Sequence, residues 1–457
     1  MGKIRKSLRL CLLPILAAFF GPARAPAAQE ARTEEKWYKG NLHMHTLWSD
    51  GREFPEMAIE WYKERGYHFV SVSDHWVIQR LGRNWKEVGA QRLTREMFDQ
   101  YVGRFGEGWV ESRRNGEKTE VRLKTFNEFI EKMNVPGEFL VIPGMEQTTN
   151  NNSLPGGQWV HMNTINVVDT MPLLVGPTVA ETLRRNAAAL ARYGAKTGRE
   201  TLFIANHPRR WYFDIQPQDL IDNPEVRFCD VLVPGPTFLG DPHPAFYTHE
   251  KFWDIVNAFR IEDGWPPLYG LMSCDRHSYP SDPATPLLFI MVRARELTAE
   301  SLLRAIHWGD VYMSNGALLE KLDFNPKSRT LSVKVKSAPG VKYSIRFNGT
   351  KKGFDRSITT VDDPESEPSP GRKKPARTIP VYSDGIGQVF SKVEGTEASY
   401  TLADDDLYVR ATVVSDKKYQ FSVYPALTRE SAWTQPYFVD MSEPPTFRVG
   451  PDLRSGR

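Results

Sequence analysis

Residues 37–51 read WYKGNLHMHTLWSDG, a strand-like run that reaches a His-Met-His triplet and then a Ser-Asp-Gly turn. Side chains two positions apart on a strand point to one face, so His43 and His45 can present both imidazoles to a single metal ion. Asp50 can reach the same place from the turn. Because an isolated His-x-His pair is more often a pair of exposed strand histidines, the rest of the chain must decide between the two interpretations.

The same arrangement recurs along the chain, where hydrophobic runs stop at residues able to bind metal. Taken singly, each such residue is more typical of a hydrogen-bonded core histidine or a surface carboxylate. Taken together, their placement at successive strand ends favours a shared site. The residues are His75, Glu146, His161, His207, Asp275 and His277.

Strand-like and helical patterns alternate from Trp37 to about Asn325, which predicts an α/β fold with a parallel sheet. Seven strand candidates favour closure into a barrel, where sites gather at the carboxyl ends of the strands. The predicted strands are Tyr38–Thr46, His68–His75, Phe139–Glu146, Val160–Val168, Leu202–His207, Phe228–Val233 and Leu268–His277. The predicted helices are Met57–Arg65, Thr125–Met133, Val179–Tyr193 and His249–Ile261.

Two further segments depart from this alternation. Residues 80–124 are charged and rich in aromatic side chains, which is compatible with an insertion that caps the site or with a plain surface excursion. Residues 326–445 alternate with period two and predict a small antiparallel β-domain of the sandwich type after a barrel at 37–325. Residues 362–377, rich in Pro, Ser and charge, predict a mobile loop within it.

The order of these motifs, H-x-H, S-D-G, D-H, E, H, N-H-P and D-x-H, resembles the polymerase-and-histidinol-phosphatase (PHP) superfamily over residues 37–320. The resemblance implies a distorted (β/α)7 barrel and a centre of two to three metal ions. All nine positions of the family's ligand set hold the expected residue type. They are His43, His45, Asp50, His75, Glu146, His161, His207, Asp275 and His277.

The resemblance also implies how the ligands divide among the ions. One ion takes His43, His45, Glu146 and Asp275; the second takes Glu146 as a bridge with His161 and His207; the third takes Asp50, His75 and His277. Catalytic roles are expected for Glu146, Asp275 and His277.

Imidazole and carboxylate ligands without thiolate suit Zn, Mn or Fe, and do not choose among them. Water held between two such ions is acidified and can attack phosphorus without a side-chain nucleophile. Neither a Gly-x-Ser-x-Gly motif nor a P-loop motif occurs in the sequence. The expected reaction is hydrolysis of a phosphate ester.

The residues that bind substrate are less clearly marked than the metal ligands. Arg209 and Arg210 directly follow His207-Pro208 and could hold a phosphate or carboxylate, although a solvated loop pair is equally compatible. Arg276 lies between two ligands and should point away from the metals. The stretches 313–318 and 432–439 are similar to exported members of the superfamily that include carbaryl hydrolases. The alternative substrate is therefore a carbamate, ester or amide.

Residues 1–27 have the features of a cleaved secretory signal: basic residues, the apolar run Leu10–Phe20 and an Ala-Pro-Ala site at 25–27. An uncleaved anchor is the alternative for that run. The segment carries five basic and no acidic residues, so its removal changes the formal net charge from +3 to −2. A nucleic-acid-binding surface is therefore not expected.

The remaining composition fits a folded, exported enzyme. A hydrophobic share of 40% supports a sizeable core, and no apolar run is long enough for an integral membrane span. Cys229 and Cys274 can form at most one disulfide in a periplasmic or secreted protein. The prediction is a metal-dependent phosphoesterase acting on a small anionic or ester substrate. A binding protein without catalysis is the second alternative, and the sequence says nothing of oligomeric state.

Overall fold

The computed structural model describes residues 35–80, 84–90, 92–150, 153–154, 157–208, 214–232, 248–281, 287–362, 378–419 and 428–438. These residues form a mixed α/β structure with few helices around a large sheet. The helices are α1 Pro55–Glu64, α2 Arg95–Phe105, α3 Phe126–Met133, α4 Val179–Thr197, α5 Pro217–Ile221, α6 His249–Glu262 and α7 Ala299–His307.

The strands fall into a sequence-early set around the histidines and a later β-rich set. The first set is β1 Lys36–Asn41, β2 Phe69–Val72, β3 Trp85–Glu87, β4 Ser112–Asn115, β5 Lys118–Arg122, β6 Leu140–Thr148, β7 His161–Ile165, β8 Leu202–Ala205, β9 Phe228–Leu232, β10 Tyr269–Met272, β11 Phe289–Ala294 and β12 Val311–Ser314. The second set is β13 Leu319–Asn325, β14 Thr330–Val335, β15 Tyr343–Lys351, β16 Ile358–Asp362, β17 Thr378–Tyr382, β18 Gln388–Glu394, β19 Glu397–Thr401, β20 Asp406–Lys418 and β21 Arg429–Trp433.

All seven predicted strand regions contain strands, in the sheet order β10-β9-β8-β7-β6-β2-β1. Six of the seven strands are shorter than predicted, so most ligand candidates lie just beyond them, whereas β6 is longer and contains Glu146. Because both faces of these strands are covered, they read as continuous apolar runs rather than as alternating ones. An isolated parallel bridge joins Met44, after β1, to Arg276, after β10, and brings the first and last strands of the order together.

One strand departs from the prediction of a uniformly parallel sheet. β7 runs antiparallel to both of its neighbours, β6 and β8, whereas the other pairs in this order are parallel. The reason is local: β6 and β7 are consecutive strands that pair as a hairpin, with Thr148 opposite His161. β7 lies within the predicted strand Val160–Val168, but His161 begins the strand instead of ending it, and the strand is antiparallel where a parallel one was predicted.

The predicted helices are all present, with ends that follow the local capping chemistry. Pro55 opens α1, where its missing N–H costs no helical hydrogen bond. Thr125 caps α3 in a capping box with Glu128, whose carboxylate accepts from the Thr125 backbone. Thr178 and Thr248 cap α4 and α6 through side-chain oxygens. None of the helices in the described residues is long and apolar enough to cross a membrane.

The insertion at 80–124 contains β3, α2, β4 and β5, and it has a hydrophobic cluster of its own. Buried Phe98 and Tyr101 of α2 pack there with Leu47, Trp48 and Phe54, which belong to the chain around the Ser-Asp-Gly turn. The insertion therefore supports the Ser-Asp-Gly turn by packing against the residues on either side of it.

The β-rich region has the antiparallel strands that its period-two pattern predicts. The strands β21, β20, β15 and β18 continue the large sheet through the pairing of β12 with β21. β13, β14 and β19 form a separate sheet. Residues 363–377, where most of the predicted mobile loop lies, and residues 439–445 are outside the described part of the chain. The division into domains at 325/326 stays a prediction.

Candidate metal centre

The nine predicted ligands converge at one rim of the sheet. Their donor atoms form four overlapping groups, in each of which one donor atom per residue lies within 4.8 Å of the others. No other residue in the described part of the chain joins such a group. The groups are His43, His45 and Glu146; His43, His207 and Asp275; His75, Glu146 and His161; and His45, Asp50, His75 and His277.

His43 and His45 direct their Nε2 atoms towards the same point, as the strand alternation predicts. The two Nε2 atoms are 3.2 Å apart. Oε2 of Glu146 lies 3.2 Å from Nε2 of His43 and 3.3 Å from that of His45. Oδ1 of Asp275 lies 3.2 and 3.1 Å from the same atoms. Glu146 groups with both histidines, whereas Asp275 groups with His43 and His207, so the four residues expected at the first ion fall into two overlapping groups.

Asp50 reaches the centre because the chain turns sharply at Gly51. A Cβ atom at Gly51 would lie 2.4 Å from the backbone carbon of His45, so any other residue would force the turn open. In the native turn, Oδ1 of Asp50 lies 3.5 Å from Nδ1 of His45 and 3.8 Å from Nε2 of His75. Its other oxygen lies 3.3 Å from Nε2 of His277.

Glu146 stands at the middle of the constellation and is fully buried. Nδ1 of His75 lies 3.1 Å from its Oε2, and Nδ1 of His161 lies 2.9 Å from its Oε1. Nε2 of His207 is 3.6 Å from Oε1. One carboxylate therefore contacts imidazoles on both sides, which is the position of a bridging ligand. His161 reaches it only because β7 is reversed and starts at this rim.

Strained backbone marks the same rim. Five non-glycine residues of the described chain have positive φ. Two are ligand candidates, His207 at φ 28° and Asp275 at 40°, and a third is Trp76, which directly follows His75, at 62°. Such conformations cost roughly 1–3 kcal/mol each and persist where the surrounding structure enforces them. Their concentration here indicates a site whose geometry is maintained at the expense of stability.

The electrostatics show how strongly the carboxylates act inside the cluster. Burial alone would lower the pKa of His45, but Asp275 and Glu146 outweigh it and raise the pKa to about 9. Burial also opposes ionisation of Glu146, yet the imidazoles of His43, His75 and His161 hold the pKa of that carboxyl well below its usual range. His75 responds in the opposite direction, because burial lowers its pKa to about 4.

The donor set fits divalent metal ions. It comprises six imidazoles and three carboxylates, with no thiolate: Cys229 and Cys274 are buried, free and outside all four groups. Imidazole and carboxylate ligands suit Zn, Mn or Fe. A divalent cation held by these converging donor atoms could take the place of the protons that His45 otherwise carries, and it would balance the three buried or half-buried carboxylates.

Three supporting residues were not singled out in the sequence. Asp230 of β9 is buried beside Nδ1 of His43 at 3.7 Å, and Ser273 hydrogen-bonds the same Asp230 oxygen. Asn206 donates from Nδ2 to Oε1 of Glu146 at 2.9 Å. The only sequence signal for Asp230 is a carboxylate within an otherwise apolar strand run, which indicates a buried partner without naming it.

Asp74 precedes a ligand but is not one itself. Its Oδ1 accepts from the Thr46 backbone at 2.7 Å and from Oγ of Ser49 at 2.6 Å. Its Oδ2 accepts from Oγ1 of Thr46 and from Nε2 of Gln79, both at 2.8 Å. Asp74 thus holds the turn that carries Asp50.

Of the three arginines considered in the sequence, only Arg276 lies in the described part of the chain. Arg209 and Arg210 lie outside the described residues, so their role stays a prediction. Arg276 is half-buried, and its guanidinium lies 4.5 Å from the centre of the Trp61 ring, with a long hydrogen bond from NH1 to the Ser278 carbonyl. These contacts agree with the structural role expected for Arg276.

The aromatic side chains of the insertion are engaged in packing. Trp109 donates from Nε1 to Glu56 at 2.9 Å, and the hydroxyl of Tyr101 donates to the same carboxylate at 2.8 Å. Trp85 lies under the guanidinium of Arg113, at 4.1 Å from the ring centre. These contacts favour a bracing role for the insertion over direct stacking on a substrate.

Comparison with known proteins gives structural similarity only. No family model matches the sequence, and no curated protein matches it. One similar solved structure is a two-domain protein from Bacteroides vulgatus with a predicted PHP-like metal-dependent phosphoesterase. It is 12% identical, with 88% of this chain and 95% of that chain covered and a TM-score of 0.37.

Two further structures cover about half of this chain. A protein from Bifidobacterium adolescentis, likewise assigned as a metal-dependent phosphoesterase, is 14% identical, with 55% and 91% coverage and a TM-score of 0.27. An amidohydrolase from Chromobacterium violaceum, with bound sulfate and no metal, is 12% identical, with 53% and 89% coverage and a TM-score of 0.26. At these TM-scores, the functional argument rests on the side chains of the centre.

Proposed function

We propose that this protein is an exported, metal-dependent phosphoesterase built on a PHP-type barrel. One observation carries the proposal: nine imidazole and carboxylate side chains from separate parts of the chain converge around the buried carboxylate of Glu146. Each such group is costly to bury unpaired. A binding protein or a plain scaffold would have no use for all nine.

The protein's own residues would divide the work. Two to three divalent ions, once bound, would acidify water and neutralise phosphoryl oxygens. Glu146 and Asp275 would hold the buried part of the centre together with His43 and His45. Asp50 and His277 are the more exposed ligands, at 35% and 29% side-chain exposure, so a substrate would approach from their side. A proton released there would meet the Asp50 and His277 side chains first.

The test combines metal analysis with a paired assay on the purified mature protein. Bis-p-nitrophenyl phosphate and a neutral aryl carbamate would be offered before and after chelation. Chelator-sensitive release from the phosphate diester alone is the expected result. Turnover of the carbamate alone would assign the protein to the carbonyl hydrolases, and bound metal with neither activity would leave the binding-protein alternative.

Export is a separate part of the proposal, and it rests on the sequence of residues 1–27. Expression of the full-length chain in a bacterial host should release a mature protein beginning near residue 28 into the periplasm. N-terminal sequencing of the fractionated protein is the measurement. A full-length chain retained in the membrane fraction would favour the uncleaved anchor instead.

A further inference from the structure

We propose that Lys86 and Arg92 of the insertion form an anion-binding subsite beside Asp50, which holds a negatively charged group of the substrate. The inference rests on the proposed function and narrows its substrate class to anionic esters. It assigns the insertion a role in binding as well as in bracing.

Arg92 is attached directly to the turn that carries a metal ligand. Its NH1 donates to the backbone carbonyl of Ser49 at 3.0 Å, and Ser49 immediately precedes Asp50. The side chain is exposed. No carboxylate of the described residues lies within 4.0 Å of this guanidinium, and NH1 to Ser49 is its one hydrogen bond within that part of the chain. Most of its five N–H donors remain available for an anion.

Lys86 of β3 pairs with Val121 of β5, whose side chain is buried in the same cluster as Leu47 and Trp48 of the chain around the turn. Its neighbours Trp85 and Glu87 have partners within the insertion, namely Arg113 over the Trp85 ring and Lys118 at 2.8 Å from Glu87. Since side chains alternate along a strand, Lys86 points to the opposite face.

The charge environment of Lys86 agrees with this direction. Half-burial lowers the pKa of Lys86, the carboxylate of Asp74 opposes that shift, and the nearby Arg92 adds to it. The ammonium group of Lys86 has no hydrogen bond or ion pair with any described residue. Asp74, the carboxylate that acts on the charge of Lys86, already accepts four hydrogen bonds, from the backbone and Oγ1 of Thr46, from Ser49 and from Gln79.

Two cations without a carboxylate partner repel each other unless an anion joins them. A phosphate oxygen suits both, because a guanidinium offers paired N–H donors and an ammonium a compact charge. A neutral aryl carbamate has no group that would use this pair. The subsite therefore discriminates between the two reactions considered above.

The experiment measures binding of inorganic phosphate to the metal-loaded full chain by isothermal titration calorimetry. Lys86→Met and Arg92→Gln remove the charges at nearly constant side-chain length. Lys118→Met and Arg104→Gln are matched controls, since both residues lie in the insertion and have carboxylate partners of their own. We expect phosphate affinity to fall about tenfold in each single variant and further in the double variant, with controls unchanged.

The same variants should raise KM for bis-p-nitrophenyl phosphate about tenfold, whereas the Lys118→Met and Arg104→Gln controls should keep the KM of the parent. Unchanged phosphate affinity in the double variant would overturn the subsite, and so would a parent protein that does not bind phosphate. Failure of the proposed function is a different result. The parent would then not hydrolyse the phosphate diester, while the loss of phosphate binding in the variants would still support the subsite.

Discussion

The carboxylate of Asp230 lies 3.7 Å from Nδ1 of His43, on the side of the ring away from Glu146 and Asp275. A buried carboxylate at this place favours a proton on Nδ1 and leaves the Nε2 lone pair for a metal ion. Ser273, which directly follows the neighbouring strand β10, donates a hydrogen bond to this carboxylate and fixes its position. Asp230 and Ser273 thus support His43, one of the buried ligands, from outside the ligand set.

Asp230→Asn tests this support. We expect metal affinity to fall about 10- to 100-fold, because the ring loses the charge that orients it. Competition with a fluorescent chelator measures the affinity directly and does not depend on turnover. Asp222→Asn, at an exposed carboxylate that contacts Gln218, is the control. Equal metal affinity in Asp230→Asn and the parent would show that the contact has no orienting role.

Glu146→Gln should remove the bridge of the centre. The amide keeps the shape of the side chain but loses the negative charge that the surrounding imidazoles stabilise. Bound metal should therefore drop by at least one ion per chain. Hydrolysis should fall by about 100-fold or more. Elemental analysis of the purified variant and an assay at saturating metal are the measurements. An active, fully metallated variant would contradict the central position given to Glu146.

Trp76→Gly should stabilise the protein. The native φ of 62° is strained for a bulky residue and ordinary for glycine, and the tryptophan is 48% exposed, so little packing is lost. Relief of about 1–2 kcal/mol should raise Tm by a few degrees. Trp308→Gly is matched in exposure at 50% but has a φ of −85°, so it should bring no gain. A lower Tm for Trp76→Gly would mean that the ring itself contributes to packing.

Arg410→Met should destabilise the protein strongly. The guanidinium is buried, lies 2.6 Å from Asp254 of α6 and 2.8 Å from Glu250, and so ties β20 to the helix. Its removal leaves buried negative charge and should cost about 3–5 kcal/mol. Chemical denaturation measures the loss. The double variant Arg410→Met, Asp254→Leu should recover part of it, and no recovery would indicate that packing around Arg410 is the larger contribution.

Glu56→Gln should have a pH-dependent effect. Burial raises the pKa of Glu56, and Tyr101 and Trp109 only partly offset this by donating to one of its oxygens. A carboxyl with a raised folded-state pKa stabilises below its unfolded pKa, and this contribution is lost as pH rises through the folded value. The Tm of Glu56→Gln relative to the parent should therefore increase from pH 4.5 towards pH 8. Glu138→Gln, at an exposed position, should show no such trend.

Most of the ligand residues were recognisable because they stand at the end of an apolar run, and period-two alternation places His43 and His45 on one face. The direction of β7 was not recognisable. The hydrophobic pattern of Met162–Ile165 is the same whichever way the strand runs, and only its pairing with β6 and β8 fixes the direction.

Contacts between residues far apart in the chain could not be predicted from the sequence either. Asp230 and His43 are far apart in the chain, and only the sheet order brings them into contact. Lys86 and Arg92 lie in a charged segment, and no local sequence feature distinguishes them from ion-paired residues such as Lys118. The lack of a carboxylate partner could therefore not be predicted from the sequence. The pairing of β12 with β21 joins the β-rich region to the large sheet, whereas alternation alone predicted strands without their partners.

The isolated bridge between Met44 and Arg276 has a consequence for how the protein opens. Few backbone hydrogen bonds join the two ends of the strand order here: His45 donates to Arg276 and Arg52 to His277. Ions held jointly by His45 and Asp275 would add further links between these two ends of the strand order. Hydrogen exchange at the amides of His45 and Arg52 should then accelerate when metal is lost, before any global unfolding. The exchange rate at these amides would therefore indicate the metal content of the protein.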